Sequence, residues 1–232
     1  MNMRSRFLFA FVLCTVDLAA APQDHPSATQ QTNGNNEPEQ QDVRTGFSIV
    51  LDRDYSHQPA DELLTFAIQH SDVAVPELKR RLIAYSQQSR KTLVGNAAIH
   101  ADALAYVANA LAVDALCDLC ARNADLFCPY LERSLDYAEG RLNPFTLAFR
   151  AIAKPEAVVQ GATIHWADSM IGFPHFRQRL AEAMFERYGK VPGDSEWATD
   201  PIASRLKDRA SPELRQSIIR LAEDAQRRRE HR

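Results

Sequence analysis

Apolar residues recur at intervals of three and four positions over most of the chain after Ala60. The longest such run extends from Thr92 to Asn123 and includes Leu104 and Leu111. This spacing places apolar side chains on one face of an α-helix, and we interpret the run as one long helix that Gly95 could shorten at its start. No stretch after Ala60 alternates apolar and polar residues as a half-buried strand does. The pattern therefore predicts an all-α body.

A second pattern predicts where helices begin. It consists of an aspartate, a turn, a proline, and apolar residues two and six positions after the proline. The copies are Asp72 with Pro76, Asp125 with Pro129, Asp208 with Pro212, and Pro174, before which Asp168 stands at a wider spacing. Proline is tolerated in the first turn of a helix and disfavours helical geometry in the residue before it. We therefore predict that a helix begins at each of these prolines.

Other prolines and glycines divide the rest of the chain. Pro155 separates two helical patterns, and Gly140 and Gly189 each follow one as a plausible stop. The further helices predicted are Asp61–His70, Pro129 to about Gly140, Asn143–Lys154, Glu156–Met170, Pro174–Tyr188, Pro201–Arg209 and Pro212 to about Arg229.

The stretch from Asp208 to Ala225 resembles the turn and second helix of HEAT-like repeats. In that family an aspartate in the turn precedes a helix that opens with a proline, an acidic residue, an apolar residue and an arginine. The matching residues here are Asp208, Pro212, Glu213, Leu214 and Arg215. The resemblance implies an α-solenoid of stacked helix pairs, for which an irregular helical bundle is the alternative.

The amino-terminal residues differ from the helical body in composition. Residues 1–20 contain two arginines, an apolar run from Phe7 to Val16 and then small residues. This is the pattern of a cleaved secretory signal peptide, and its apolar run is too short to span a membrane. We therefore expect the protein to be exported, to the periplasm or outside the cell, and we expect no membrane span.

Three segments follow the signal sequence. Residues 21–45 are rich in glutamine and asparagine and are predicted to be a disordered spacer. Residues 46–60 begin with Phe47, Ile49 and Val50 and are predicted to be a short extended segment, either a strand or an apolar strip on the first helices. Residues 61–232 form the predicted helical domain, which is long enough for one core.

The charge of the chain bears on its partners. It has 27 basic and 30 acidic residues and a formal net charge of −3. A mildly acidic chain is not typical of nucleic-acid binding, and we interpret the arginines near the carboxyl terminus as a solvated helix end. No glycine-rich phosphate loop or familiar catalytic motif is present, so we expect no nucleic-acid partner and no cofactor.

Three cysteines follow the signal sequence. Cys117 and Cys120 form a C-x-x-C pair near the end of a predicted helix, whereas a thioredoxin-like site needs a helix start after a strand. A zinc site would lack a fourth ligand nearby. Cys120 and Cys128 flank the predicted inter-helix turn, so either a structural disulfide joins them or all three thiols are free and buried.

Histidines are the remaining candidates for chemistry. His165 and Asp168 lie one turn apart on a predicted helix, and His175 follows Pro174. A carboxylate can orient an imidazole in a metal or acid–base site. No recognisable nucleophile or third ligand accompanies these residues, so we interpret them as surface residues.

Two functions are consistent with the sequence. The first is an exported, non-enzymatic helical-repeat protein that acts as a scaffold for another protein or a peptide. The second is a helical enzyme or metal-binding protein that uses His165, Asp168, His175 or Cys117. We favour the first because of the repeated pattern, and the sequence leaves the partner's identity and the oligomeric state open.

Overall fold

The computed structural model describes residues 37–55, 60–88, 92–189 and 199–202, with isolated positions between 195 and 228. From Pro38 onward these residues belong to one compact unit. The regular secondary structure of these described residues is entirely helical, which confirms the all-α prediction. The α-helices are α1 (Glu37–Asp52), α2 (Asp61–Gln69), α3 (Ser71–Ser86), α4 (Asn96–Val107), α5 (Ala110–Arg122), α6 (Ala124–Ala138), α7 (Pro144–Ile152), α8 (Ala157–Met170) and α9 (Pro174–Tyr188).

The later helices have the ends that the sequence predicts. Pro155 lies between α7 and α8, and α9 runs from Pro174 to Tyr188. Gly189 follows α9 with φ of +66°, a left-handed conformation that glycine adopts without a side-chain clash. Asn143 is the N-cap of α7, and its side-chain oxygen accepts a hydrogen bond from the backbone N–H of Phe145 at 3.0 Å.

The prediction that helices begin at Pro76 and Pro129 is wrong. Pro76 lies inside α3 and Pro129 lies inside α6. Asp72 and Asp125 already occupy the first turns of these helices, where the helix dipole favours negative charge. Each proline therefore removes one backbone hydrogen bond after the helix has begun. Pro174 does begin its helix, as predicted.

The run from Thr92 to Asn123 is two helices and not one. Ala108 separates them with a left-handed backbone, φ +46°. Asn109 is the N-cap of α5, and its side-chain oxygen accepts a hydrogen bond from the N–H of Ala112 at 2.9 Å. Its amide nitrogen also donates to Ser71 Oγ at 3.1 Å, so a contact with α3 fixes the break.

The amino-terminal prediction also needs correction. Residues 46–60 are not extended throughout, because α1 continues to Asp52, and residues 37–45 of the predicted spacer belong to the same helix. Phe47, Val50 and Leu51 are buried, and the Phe47 ring stacks on Phe66 of α2 with centroids 4.6 Å apart. Their spacing of three and four positions is helical. The predicted signal peptide, residues 21–36 and most of the two helices predicted after Pro201 lie outside the described residues.

Alternate helices pack side by side in two rows. One row contains α2, α4, α6 and α8, and the other contains α3, α5, α7 and α9. Consecutive helices also pack against each other, from the α2–α3 pair to the α7–α8 pair. The apolar side chains form one buried core, to which Leu104, Leu116 and Leu131 contribute with 0 % exposure.

Charged side chains connect neighbouring helices within each row. These pairs are Lys79 with Asp118, Arg150 with Asp114, and Arg133 with Asp102. Partly exposed pairs of this kind contribute about 0 to 1 kcal/mol each. The buried core therefore supplies most of the stability, and the pairs add specificity to the packing.

Candidate functional site

A groove with a volume of about 420 Å³ lies between α1 and α3. Small-ligand pockets have volumes of roughly 300 to 1,000 Å³. Phe47 is only 1 % exposed and forms the bottom of the groove. The lining residues are Phe47 and Ser48 of α1, and Asp72, Val73, Pro76, Glu77 and Arg80 of α3.

The helical period explains which residues of α3 line the groove. Asp72, Pro76 and Arg80 are exposed and recur at every fourth position, which places them along one face of the helix. From Asp72 to Arg80 the helix rises by about 12 Å, at about 1.5 Å per residue. The groove therefore has an aspartate near one end and an arginine near the other.

The arginine end is neutralised within the protein. Arg80 donates two hydrogen bonds to Glu77, at 2.8 and 2.6 Å. Arg81 donates to Glu77 at 3.0 Å and to Asp52 at 2.6 Å, which connects α3 to the end of α1. The hydrogen bond from Arg80 is the main reason that the pKa of Glu77 lies below its ordinary value. Glu77 is thus ionised, and its charge is compensated.

The aspartate end is different. Among the residues that the structure describes, neither the Asp72 carboxylate nor the Ser48 hydroxyl has a hydrogen-bond or ion-pair partner. Pro76 has no N–H group, so it cannot donate the usual helical hydrogen bond to the Asp72 carbonyl. The groove thus combines an apolar bottom with oxygen atoms that can accept hydrogen bonds.

The candidate histidines contact different carboxylates of α6. His165 Nδ1 lies 3.0 Å from Glu132 Oε1, and His175 Nε2 lies 3.1 Å from Glu139 Oε1. Glu132 and Glu139 are about two helical turns apart, or roughly 10 Å along α6. Asp168 lies one turn after His165 on α8. No group of three potential metal ligands occurs in the described part of the chain.

Asp136 lies between the two glutamates on α6. The indole N–H of Trp166 donates to Asp136 Oδ1 at 2.8 Å. Burial raises the pKa of Asp136 above its ordinary value, although the indole hydrogen bond acts in the opposite direction. Trp166 also packs against Phe145 and Phe176, with centroids 5.2 and 6.4 Å away. This arrangement joins α6, α7, α8 and α9 and is structural.

The cysteines also have structural positions. Cys120 and Cys128 form a disulfide with their Cα atoms 4.9 Å apart, so the structure takes the first of the two alternatives predicted. That separation is within the usual range of about 4.4 to 6.8 Å. Cys117 is free and buried, and desolvation raises the pKa of its thiol to about 12. A thiol with that pKa is a poor nucleophile near neutral pH.

His100 is a buried histidine on α4. Its Nε2 lies 3.3 Å from the Leu51 carbonyl oxygen of α1, so this nitrogen carries the proton. Burial lowers the pKa of His100, and the nearby Arg81 lowers it further. Its neutral form therefore stabilises the packing of α1 on the helical body.

Comparison of the chain with protein-family models, with curated proteins and with solved structures finds no match. None of the described helices has both the length and the apolar composition to cross a membrane.

The sequence patterns do not predict the groove, but they include three of the residues that line it. Asp72 and Pro76 belong to the repeated pattern, and Phe47 begins the apolar strip. The exposed proline inside an otherwise amphipathic helix was the available signal. The sequence could not indicate that α1 packs beside it.

Proposed function

We propose that this protein is an exported, non-enzymatic scaffold that binds a peptide segment of another protein in the α1–α3 groove. The observation that carries the proposal is the combination of an apolar lining, Val73 and Pro76 with Phe47 at the bottom, and the unpartnered carboxylate of Asp72. Binding sites commonly combine an apolar surface with a few polar groups that fix orientation.

The dimensions of the groove favour a short segment. A length of about 12 Å along α3 holds roughly four residues of an extended chain, at about 3.3 Å per residue. Val73 and Pro76 offer apolar contact along that length. A peptide strand or loop therefore fits the groove better than a broad protein surface does.

The two rows of helices support a scaffold function. We propose that they form a short HEAT-like α-solenoid, in which stacked helix pairs hold α3 in place, while the Phe47–Phe66 stack and the Arg81–Asp52 hydrogen bond hold α1 beside it. A preformed site loses less conformational entropy on binding than a mobile one does. The secretory pattern of residues 1–20 is the basis for proposing that the protein acts after export.

Selection of phage-displayed random peptides on the immobilised full chain tests the proposal. Val73→Trp would fill the groove, because Val73 is a partly buried lining residue. Val158→Trp is the matched control, because Val158 is 44 % exposed on α8 and does not line the groove. We expect the selected peptides to bind the wild type and the Val158 variant but not the Val73 variant.

Two results would contradict the proposal. One is a selection that enriches no peptide on a chain whose circular dichroism shows it to be folded. The other is a set of enriched peptides that bind the Val73→Trp variant as tightly as the wild type.

A further inference from the structure

We infer that the groove selects a peptide segment in which a lysine or arginine adjoins an apolar residue, an inference that rests on the proposed function. The charged residues of the lining are mostly acidic. Asp72 and Glu77 are acidic and Arg80 is basic. Glu77 and Arg80 compensate each other through two hydrogen bonds. The charge of Asp72 is left for the ligand.

In the part of the chain that the structure describes, the Asp72 carboxylate has no cation from the protein beside it. It is exposed and lies in the first turn of α3, where the helix dipole stabilises a negative charge. Among the described residues it has no ion-pair partner. A cationic ligand therefore gains the attraction of this carboxylate without displacing an existing partner, and the positive end of the helix dipole offsets part of that attraction.

Further acceptors belong to residues that line the same groove. The Asp72 carbonyl lacks a helical donor at Pro76, and the Ser48 hydroxyl has no partner among the described residues. Lysine offers three N–H donors and arginine offers five, and neither side chain accepts a hydrogen bond. The acceptors of the groove therefore match a basic head group.

The apolar bottom matches the rest of such a side chain. Lysine and arginine carry aliphatic stems that pack on apolar surfaces while the charged head stays solvated. Val73, which is partly buried, and Pro76, which is exposed, provide that surface. A neighbouring apolar residue of the ligand would cover Val73. A glutamate at the same place would meet the like charge of Asp72.

The chain contains a matched control for this carboxylate. Asp125 stands four residues before Pro129, in the first turn of α6, as Asp72 stands before Pro76 in α3. Asp125 is also exposed and has no polar partner among the described residues, but it does not line the groove. Asp125→Asn thus removes an equivalent helix-start charge at a distant site.

Fluorescence anisotropy with three labelled peptides tests the inference. Each is a glycine–serine peptide with a central leucine, test residue and leucine, where the test residue is lysine, norleucine or glutamate. We expect the full chain to bind the lysine peptide about fivefold more tightly than the norleucine peptide, and the glutamate peptide most weakly. Asp72→Asn should remove the preference for lysine, and Asp125→Asn should keep it.

The outcomes separate the inference from the proposed function. If lysine and norleucine peptides bind equally and Val73→Trp abolishes both, the charge selection is wrong and the groove still binds peptides. If Val73→Trp leaves binding of the lysine peptide unchanged, the proposed function fails as well. Absence of binding by all three peptides at millimolar concentration, or equal effects of Asp72→Asn and Asp125→Asn, would also overturn the inference.

Discussion

Reduction of the Cys120–Cys128 disulfide is expected to lower the free energy of unfolding by about 2 to 3 kcal/mol. The cysteines are separated by 8 positions in the sequence. The chain-entropy relation for a closed loop of that size gives roughly 2.6 kcal/mol at room temperature. Reduction changes little in the packing of the folded state, because Cys120 is 0 % exposed and both side chains remain. Loss of the constraint on the unfolded chain should therefore dominate.

Urea unfolding followed by circular dichroism, with and without a phosphine reductant, measures this effect. For an m-value of about 2 kcal/mol per molar urea, the midpoint should fall by about 1 to 1.5 M on reduction. The Cys120→Ala/Cys128→Ala double variant is the control, and its midpoint should not respond to the reductant. Identical wild-type curves under both conditions would refute the reasoning. An equal response of the double variant would mean that the reductant acts elsewhere.

Three other groups give separate predictions. The wild type should lose stability below about pH 6.5, because burial lowers the pKa of His100 and the unfolded chain therefore binds the proton more tightly. His100→Gln should remove that loss, and urea unfolding at pH 7.5 and 5.5 compares the variant with the wild type. Asp136→Asn should raise the unfolding midpoint at pH 7, since desolvation disfavours the Asp136 carboxylate and the asparagine keeps an acceptor for Trp166, whereas Asp136→Ala should lower it because the indole N–H loses its partner. Cys117 should resist iodoacetamide at pH 8 in the folded protein and react in urea, because burial raises the pKa of its thiol to about 12; mass spectrometry of the alkylated chain detects the difference.

Helix ends were predictable where a single residue decides them. Gly189 ends α9 because its left-handed backbone suits glycine, and Pro155 separates two helices because proline interrupts the backbone hydrogen bonds. The predicted helix starts at Pro76 and Pro129 were wrong because a proline near the start of a helix does not identify its first residue. Earlier residues in each helix had already begun it.

The break between α4 and α5 at Ala108 could not be predicted from the neighbouring residues alone. Alanine has the highest helix propensity, so no residue-level rule predicts a left-handed alanine inside an apolar run. The break accompanies a hydrogen bond between Asn109 and Ser71, which are 38 positions apart. Tertiary contact therefore decides this helix boundary.

The candidate site was predictable only in part. The Cys120–Cys128 pairing was one of two alternatives, because the distance between the two Cα atoms depends on how tightly the α5–α6 connection turns. The groove needs Phe47 beside α3, and that contact depends on the packing of α1 against α2. A prediction from local patterns could mark Asp72 but could not place Phe47 next to it.

The two rows of helices have a consequence for how the chain folds. The main contacts join helices that are near one another in the sequence, so little loop-closure entropy is lost before they form. Contacts between neighbouring helices can therefore form early in folding. Helices α5 and α6 lie at the middle of the two rows, where α5 packs against α7 and α8 and α6 packs against the same two helices. Damage to α5 or α6 would therefore weaken contacts with both halves of the molecule, whereas damage to α2 or α9 would affect only one end.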